Sequence, residues 1–95
     1  MNRLNGKIVI VTGAAQGMGA SHARACVEQG AKVVVADMAK ELGETLAKEL
    51  GENAVFMALD VTDPASWSRV VKETKAKFGT VNVLVNNAGV SGPPV

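Results

Sequence analysis

Residues 7–19, Lys-Ile-Val-Ile-Val-Thr-Gly-Ala-Ala-Gln-Gly-Met-Gly, constrain this chain more than any other stretch. Ile8 to Val11 is an unbroken β-branched run bounded by Lys7 and by Thr12-Gly13. That pattern predicts a strand buried on both faces, as in a parallel sheet. Glycines follow at 13, 17 and 19, and a helical pattern then begins. A strand, a glycine-rich turn and a helix N-terminus together make a phosphate site. The first helical N–H groups lack intrahelical partners, and the helix dipole adds partial positive charge there. Gly13 permits the tight turn, Gly17 lets backbone approach a pyrophosphate, and Gly19 lets helix and strand pack closely. The spacing is Gly-x-x-x-Gly-x-Gly, not the commoner Gly-x-Gly-x-x-Gly. A glycine cluster alone is also what an ordinary loop contains. The buried strand before it and the helix after it favour nucleotide binding.

Taken in order, the first strand spans about residues 7–12 and the first helix runs from near Gly17 to about Gln29. Met18, His22, Ala25 and Cys26 form the expected inner face of that helix, with His22 near its rim. His22 and Cys26 also have metal-ligand spacing, but no second ligand pair accompanies them, so helix packing is the preferred reading. Gly30 fits the position that ends the helix. Val33-Val34-Val35 lies in a second buried strand, residues 32–36, which ends at Asp37. An acid at the end of a second strand, about 20 residues past such glycines, is placed to accept hydrogen bonds from an adenosine ribose. The alternative is a solvated acid capping a loop. In the ribose role Asp37 discriminates between cofactors. At about 5 Å and an effective dielectric near 20, it would repel each unit charge of a 2′-phosphate by roughly 3 kcal/mol. A charge-assisted hydrogen bond to a 2′-hydroxyl instead gains about 1.5–3 kcal/mol. No arginine stands nearby: position 16 is Gln, and Met38 and Ala39 follow Asp37. NAD is therefore expected over NADP.

Residues 40–50 predict a second helix with an apolar stripe of Leu42, Leu46 and Leu50. Lys40, Glu44 and Lys48 form its solvated face. Gly51 stops it. A third strand, residues 54–59, leads to Asp60-Val61-Thr62-Asp63-Pro64. Thr62 or Asp63 caps a third helix, with Pro64 in its first turn. Trp67, Val70, Val71, Thr74 and Phe78 form its expected inner face, and Gly79 ends it. A fourth strand, residues 81–85, delivers Asn86-Asn87-Ala88-Gly89.

Thr12-Gly13-Ala14-Ala15-Gln16-Gly17-Met18-Gly19 resembles the Thr-Gly-x-x-x-Gly-x-Gly signature of the short-chain dehydrogenases/reductases. Asn86-Asn87-Ala88-Gly89 matches that family's Asn-Asn-Ala-Gly motif. The pair in this order and spacing is specific, and the resemblance runs from Gly6 to about Gly89. It implies that Gly13, Gln16, Gly17, Met18, Gly19 and Asp37 contact the cofactor. It places Asp60 and Val61 at adenine, and Asn87, Ala88 and Gly89 along the ribose and nicotinamide. Asn86 is expected to steady the central sheet. For Asp60 a plain turn role is the alternative.

The implied fold is α/β, a Rossmann-type parallel sheet of order 3-2-1-4, with the first two helices on one face and the third on the other. Residues 1–95 correspond to the N-terminal part of one NAD-binding Rossmann domain. The family's catalytic Ser and Tyr-x-x-x-Lys fall beyond that part, and the chain contains no tyrosine. The expected function is the NAD(H)-binding part of an oxidoreductase that moves hydride between nicotinamide and an alcohol or carbonyl substrate. The 95 residues alone are expected to be inactive. Two alternatives remain: a truncated or engineered half-fold that binds nucleotide without turnover, and a self-associating structural fragment.

Composition narrows the partners. The net charge is +1 with both signs interspersed, so no nucleic-acid stripe is present. No apolar run approaches a membrane span, and no long hydrophobic region follows the N-terminal charges, so neither membrane insertion nor a signal peptide is expected. Cys26 is the single cysteine, which excludes an internal disulfide and makes a reducing cytoplasm the expected setting. An unpaired fourth strand predicts a homo-oligomer, or association with the remaining part of the fold. The small-molecule substrate is not legible.

Overall fold

A computed structural model describes residues 4–15 and 17–86. Four strands, β1 (Ile8–Thr12), β2 (Lys32–Asp37), β3 (Ala54–Ala58) and β4 (Val83–Asn86), alternate with three helices, α1 (Gly17–Glu28), α2 (Lys40–Leu50) and α3 (Pro64–Lys77). A single 3-10 turn, Gly51–Asn53, separates α2 from β3. The strands form one parallel sheet of order β3-β2-β1-β4, as the crossover rule predicts.

The β-branched runs lie at the centre because each residue must find cover on its own face. Val9, Val11, Val33 and Val35 point to the layer made by α1 and α2, which also contains Ala23, Leu46 and Ala47. Ile10, Val34 and Ala36 point the other way, toward Met57, Leu59 and Val70, with Trp67 and Phe78 packed against them. The alternation along β1 and β2 therefore feeds two half-cores. Asp63 caps α3 by accepting the Ala65 N–H at 3.0 Å, with Pro64 in the first turn. The helix-stop glycines Gly30, Gly51 and Gly79 all have positive φ.

The inner faces of the helices match the expected ones in part: Cys26, Leu46, Val70 and Thr74 are buried, and Leu50, Trp67 and Phe78 pack against the core. In α1 the buried residues are Gly19, Ala23 and Cys26, while Met18 is 68% exposed and Ala25 also faces solvent. The reason is close approach: a Cβ built at Gly19 would lie 1.9 Å from the Gly13 carbonyl oxygen, so only small side chains fit beneath this helix. His22 is half-buried, and its Nδ1 has no hydrogen-bond partner among the described residues. In α2 the buried residues are Gly43, Leu46 and Ala47, and Leu42 is 49% exposed. The Phe56 ring lies where a Cβ at Gly43 would stand, 2.3 Å away, and so occupies the place expected for a leucine. In α3 the row is Ser66, Val70 and Thr74, with Val71 exposed. The two hydroxyls are satisfied there, Thr74 Oγ1 donating to Val70 O at 2.7 Å and Ser66 Oγ accepting from Asp60 N at 3.0 Å.

β4 begins at Val83 rather than 81, because Asn82 makes the preceding link with its side chain. Its Oδ1 accepts the Ile8 N–H at 2.8 Å, and its own N–H donates to Ile8 O at 2.9 Å. β3 ends at Ala58, one residue short of the predicted bound.

Candidate functional site

The carboxyl ends of β1, β2 and β3 open on the same edge of the sheet, and of the predicted site residues Gly13, Gly17, Met18, Gly19, Asp37, Asp60 and Val61 lie at or just beyond these ends. After Thr12 the chain turns at Gly13, with φ 60, and enters α1 at Gly17, with φ 63. At Gly17 a Cβ would meet nothing within 4 Å, so the backbone at the helix N-terminus faces open space. An L side chain there would both strain the backbone and fill that space. Gly19, two residues further on, instead presses on the backbone of Gly13 and Ala14. The three glycines thus do three different things: turn, open cradle and close contact.

The turn is tied to the end of β2. Ala14 N donates to Ala36 O at 3.3 Å, and Ala15 N donates to Asp37 Oδ2 at 3.1 Å. The other carboxylate oxygen, Oδ1, accepts from Ala39 N at 2.9 Å and shapes the start of the β2–α2 connection. A carboxylate has about four acceptor positions. Two amides leave room for two hydroxyl donors, so the arrangement fits a ribose beside Asp37.

At the end of β3, Asp60 closes a tight turn: its Oδ1 accepts from Thr62 Oγ1 at 2.6 Å and from Thr62 N at 2.9 Å. These two bonds, the hydroxyl first, hold its carboxyl below the usual carboxylate range. Trp67 Nε1 donates to Val61 O at 3.0 Å, so the indole braces the Asp60-Val61 loop from α3 while its ring packs on the second half-core. Val61 and Met38 are exposed apolar side chains just beyond the ends of β3 and β2, and Met18 is another in the first turn of α1. Asn86, at the end of β4, accepts from buried Thr12 Oγ1 at 2.9 Å, which ties β1 to β4 as its expected structural role requires. Gln16, Asn87, Ala88 and Gly89 lie outside the described residues.

The model of the short chain dehydrogenase family matches residues 7–95. The chain belongs to that family. Among its relatives, a 3-alpha-(or 20-beta)-hydroxysteroid dehydrogenase of Mycobacterium tuberculosis is 51% identical over 88 residues, covering 93% of this chain and 34% of that protein. A 2,5-dichloro-2,5-cyclohexadiene-1,4-diol dehydrogenase of Sphingobium indicum is 41% identical, covering 97% of this chain and 38% of that one. The crystal structure of a hydroxysteroid dehydrogenase from Escherichia coli superposes with a TM-score of 0.88 at 35% identity, over 96% of this chain and 40% of that chain. This short-chain dehydrogenase sequence thus spans between 34% and 40% of the length of these relatives.

Four supporting contacts escaped sequence reasoning: Ala15 with Asp37, Asp60 with Ser66, Ile8 with Asn82, and Gly43 with Phe56. Only Gly43 carried a signal, as a glycine inside a helical pattern, where it costs about 1 kcal/mol against Ala unless packing requires it. The others join residues 6 to 74 positions apart and leave no local trace. Among the described residues no helix is long and apolar enough to cross a membrane, and no three His, Cys, Asp or Glu side chains converge as a metal set.

Proposed function

We propose that these residues form the NAD(H)-holding part of a dehydrogenase acting on an alcohol or its carbonyl counterpart. The observation that carries this reading is the open backbone cradle at Gly17, at the N-terminus of α1, with the Asp37 carboxylate fastened beside it. Gly13, Gly17 and the first α1 amides would hold the pyrophosphate. Asp37 would take the adenosine ribose hydroxyls, and Asp60 and Val61 would border adenine. Gln16 and Met18 would complete the phosphate side, and Asn87, Ala88 and Gly89 the nicotinamide side. The bound cofactor supplies hydride transfer. Asp37 favours NAD over NADP, because a 2′-phosphate would meet its negative charge. The relatives described above are named for hydroxysteroids and for a cyclohexadiene diol, which supports an alcohol on a polycyclic or cyclic carbon skeleton as the substrate class.

Calorimetry with NAD and NADP tests this reading. NAD is expected to bind at least about tenfold more tightly, a difference of about 1.4 kcal/mol. Equal affinities would remove Asp37 from the ribose, and no binding of either would remove the cradle from the phosphates. The family's tyrosine acid/base has no counterpart here, since residues 1–95 contain no Tyr. A polypeptide limited to these residues is therefore expected to bind NAD without producing NADH from alcohols.

Association belongs to the same proposal. β4 pairs with β1 on one side only among the described residues, and Leu84 is 50% exposed on its face. An open edge beside an apolar side chain favours pairing with another copy or with the rest of the family fold. Sedimentation of the 95-residue polypeptide should show species larger than a monomer. A stable monomer at all concentrations would defeat this part.

A further inference from the structure

Asp37 is recruited twice. Its Oδ2 accepts the N–H of Ala15, a residue of the phosphate turn that is only 8% exposed, and its Oδ1 accepts the N–H of Ala39. The first bond spans 22 residues of sequence and, with Ala14 N to Ala36 O, fastens the glycine-rich turn to β2. Among the described residues these are the hydrogen bonds between the turn and β2. They sit beside two positive-φ glycines, Gly13 and Gly17, where the chain itself supplies little stiffness.

We propose that Asp37 is a positioning residue for the phosphate cradle: its carboxylate holds the Ala15 amide and so fixes the turn in its anion-binding shape before any ribose arrives. The inference rests on the cofactor reading above and deepens it. A residue that only met ribose hydroxyls would affect ligands that carry them. A residue that sets the turn must also affect ligands that lack them. Removing the carboxylate leaves the nearly buried Ala15 N–H without its acceptor, and the turn gains alternatives that no longer point its amides inward. Replacing Asp37 to change cofactor preference would then weaken phosphate binding at the same time, unless the replacement also accepts from Ala15 N.

The test compares wild type, Asp37→Ala and Asp37→Asn. Two probes are used, inorganic pyrophosphate, which has no ribose, and NAD, with amide hydrogen exchange read at Ala15. In Asp37→Ala, pyrophosphate affinity should fall by at least about fivefold, as expected for loss of a hydrogen bond to a charged group. Ala15 exchange should accelerate, while the amides of Val9, Val11 and Val34 keep their protection. Asp37→Asn retains one acceptor oxygen and should give an intermediate result. It is also the variant to use should Asp37→Ala not fold. A loss of NAD affinity with unchanged pyrophosphate affinity, or unchanged Ala15 exchange, overturns the proposal and leaves Asp37 a ribose ligand. Wild type that fails to bind pyrophosphate overturns it as well. Failure of the cofactor reading is seen separately, as wild type that binds pyrophosphate but not NAD.

Discussion

Gly19 and Gly17 are two residues apart, yet replacing each with alanine should act through different causes, a backbone clash at one and a strained φ at the other. At Gly19 a Cβ would stand 1.9 Å from Gly13 O and 2.7 Å from Gly13 C, where ordinary contact begins at 3.4 Å. Both obstacles are backbone, so no side-chain rotation relieves them, and α1 must back away from the turn by about 1.5 Å. Overpacking of this kind costs about 1–3 kcal/mol. Helix propensity returns at most about 1 kcal/mol for Gly→Ala. The clash lies well inside contact distance, so the upper part of the range applies, and the net loss is about 2 kcal/mol. For a domain of this size that corresponds to a fall in Tm of about 8–16 °C. At Gly17 the same methyl meets nothing within 4 Å but must adopt φ 63. That costs about 1–2 kcal/mol of backbone strain and fills the space assigned to the phosphate. Urea unfolding followed by circular dichroism, with an NAD titration of each folded variant, separates the two. Gly19→Ala should be the less stable, and Gly17→Ala should lose NAD binding at smaller cost to the fold. A Gly19→Ala variant within about 0.5 kcal/mol of wild type would refute the argument that α1 rests on the backbone of the turn.

Further outcomes follow from the same contacts. Asp37→Ser combined with Met38→Arg should move preference toward NADP, measured as the ratio of dissociation constants for the two cofactors; an unchanged ratio would count against the charge argument. Gly43→Ala sets a methyl 2.3 Å from the Phe56 ring and should destabilise by about 1 kcal/mol, with Phe56→Leu recovering much of the loss in a double-mutant cycle. Thr62 hydrogen bonds lower the Asp60 carboxyl from its ordinary value of 3.8. Its contribution to stability is therefore present above that value and lost as pH falls through the lower folded one. NMR titration should find Asp60 below 3.8 in the wild type and partly restored in Thr62→Ala. Burial pushes the Cys26 thiol up from 9.0, so a maleimide should label native protein far more slowly than unfolded protein at neutral pH.

Much of the architecture was legible because its causes are local. The β-branched runs at Ile8–Val11 and Val33–Val35, buried on both faces, require a central parallel sheet. Asp63-Pro64 starts α3 through a cap that spans two residues. The crossover rule then leaves one order for the strands. The glycine-rich turn was legible too, since a strand, three spaced glycines and a helix start need no distant partner to be recognised.

What the tertiary structure decided is which atoms meet. Periodicity in α1 offers Met18 and His22 for the inner face, with close packing expected at Gly19, and the structure buries the small pair Gly19 and Ala23 instead of Met18 and His22. The small pair is inside because the helix rests directly on the Gly13 carbonyl. In α2 the Phe56 ring, which belongs to the next strand, fills the gap at Gly43 and leaves Leu42 outside. Asp37 could be placed at the end of β2 from sequence, but its bond to Ala15 could not. A side chain's hydrogen-bond partner depends on how closely two elements approach, and that distance is set by packing across the sheet rather than by the residues beside it.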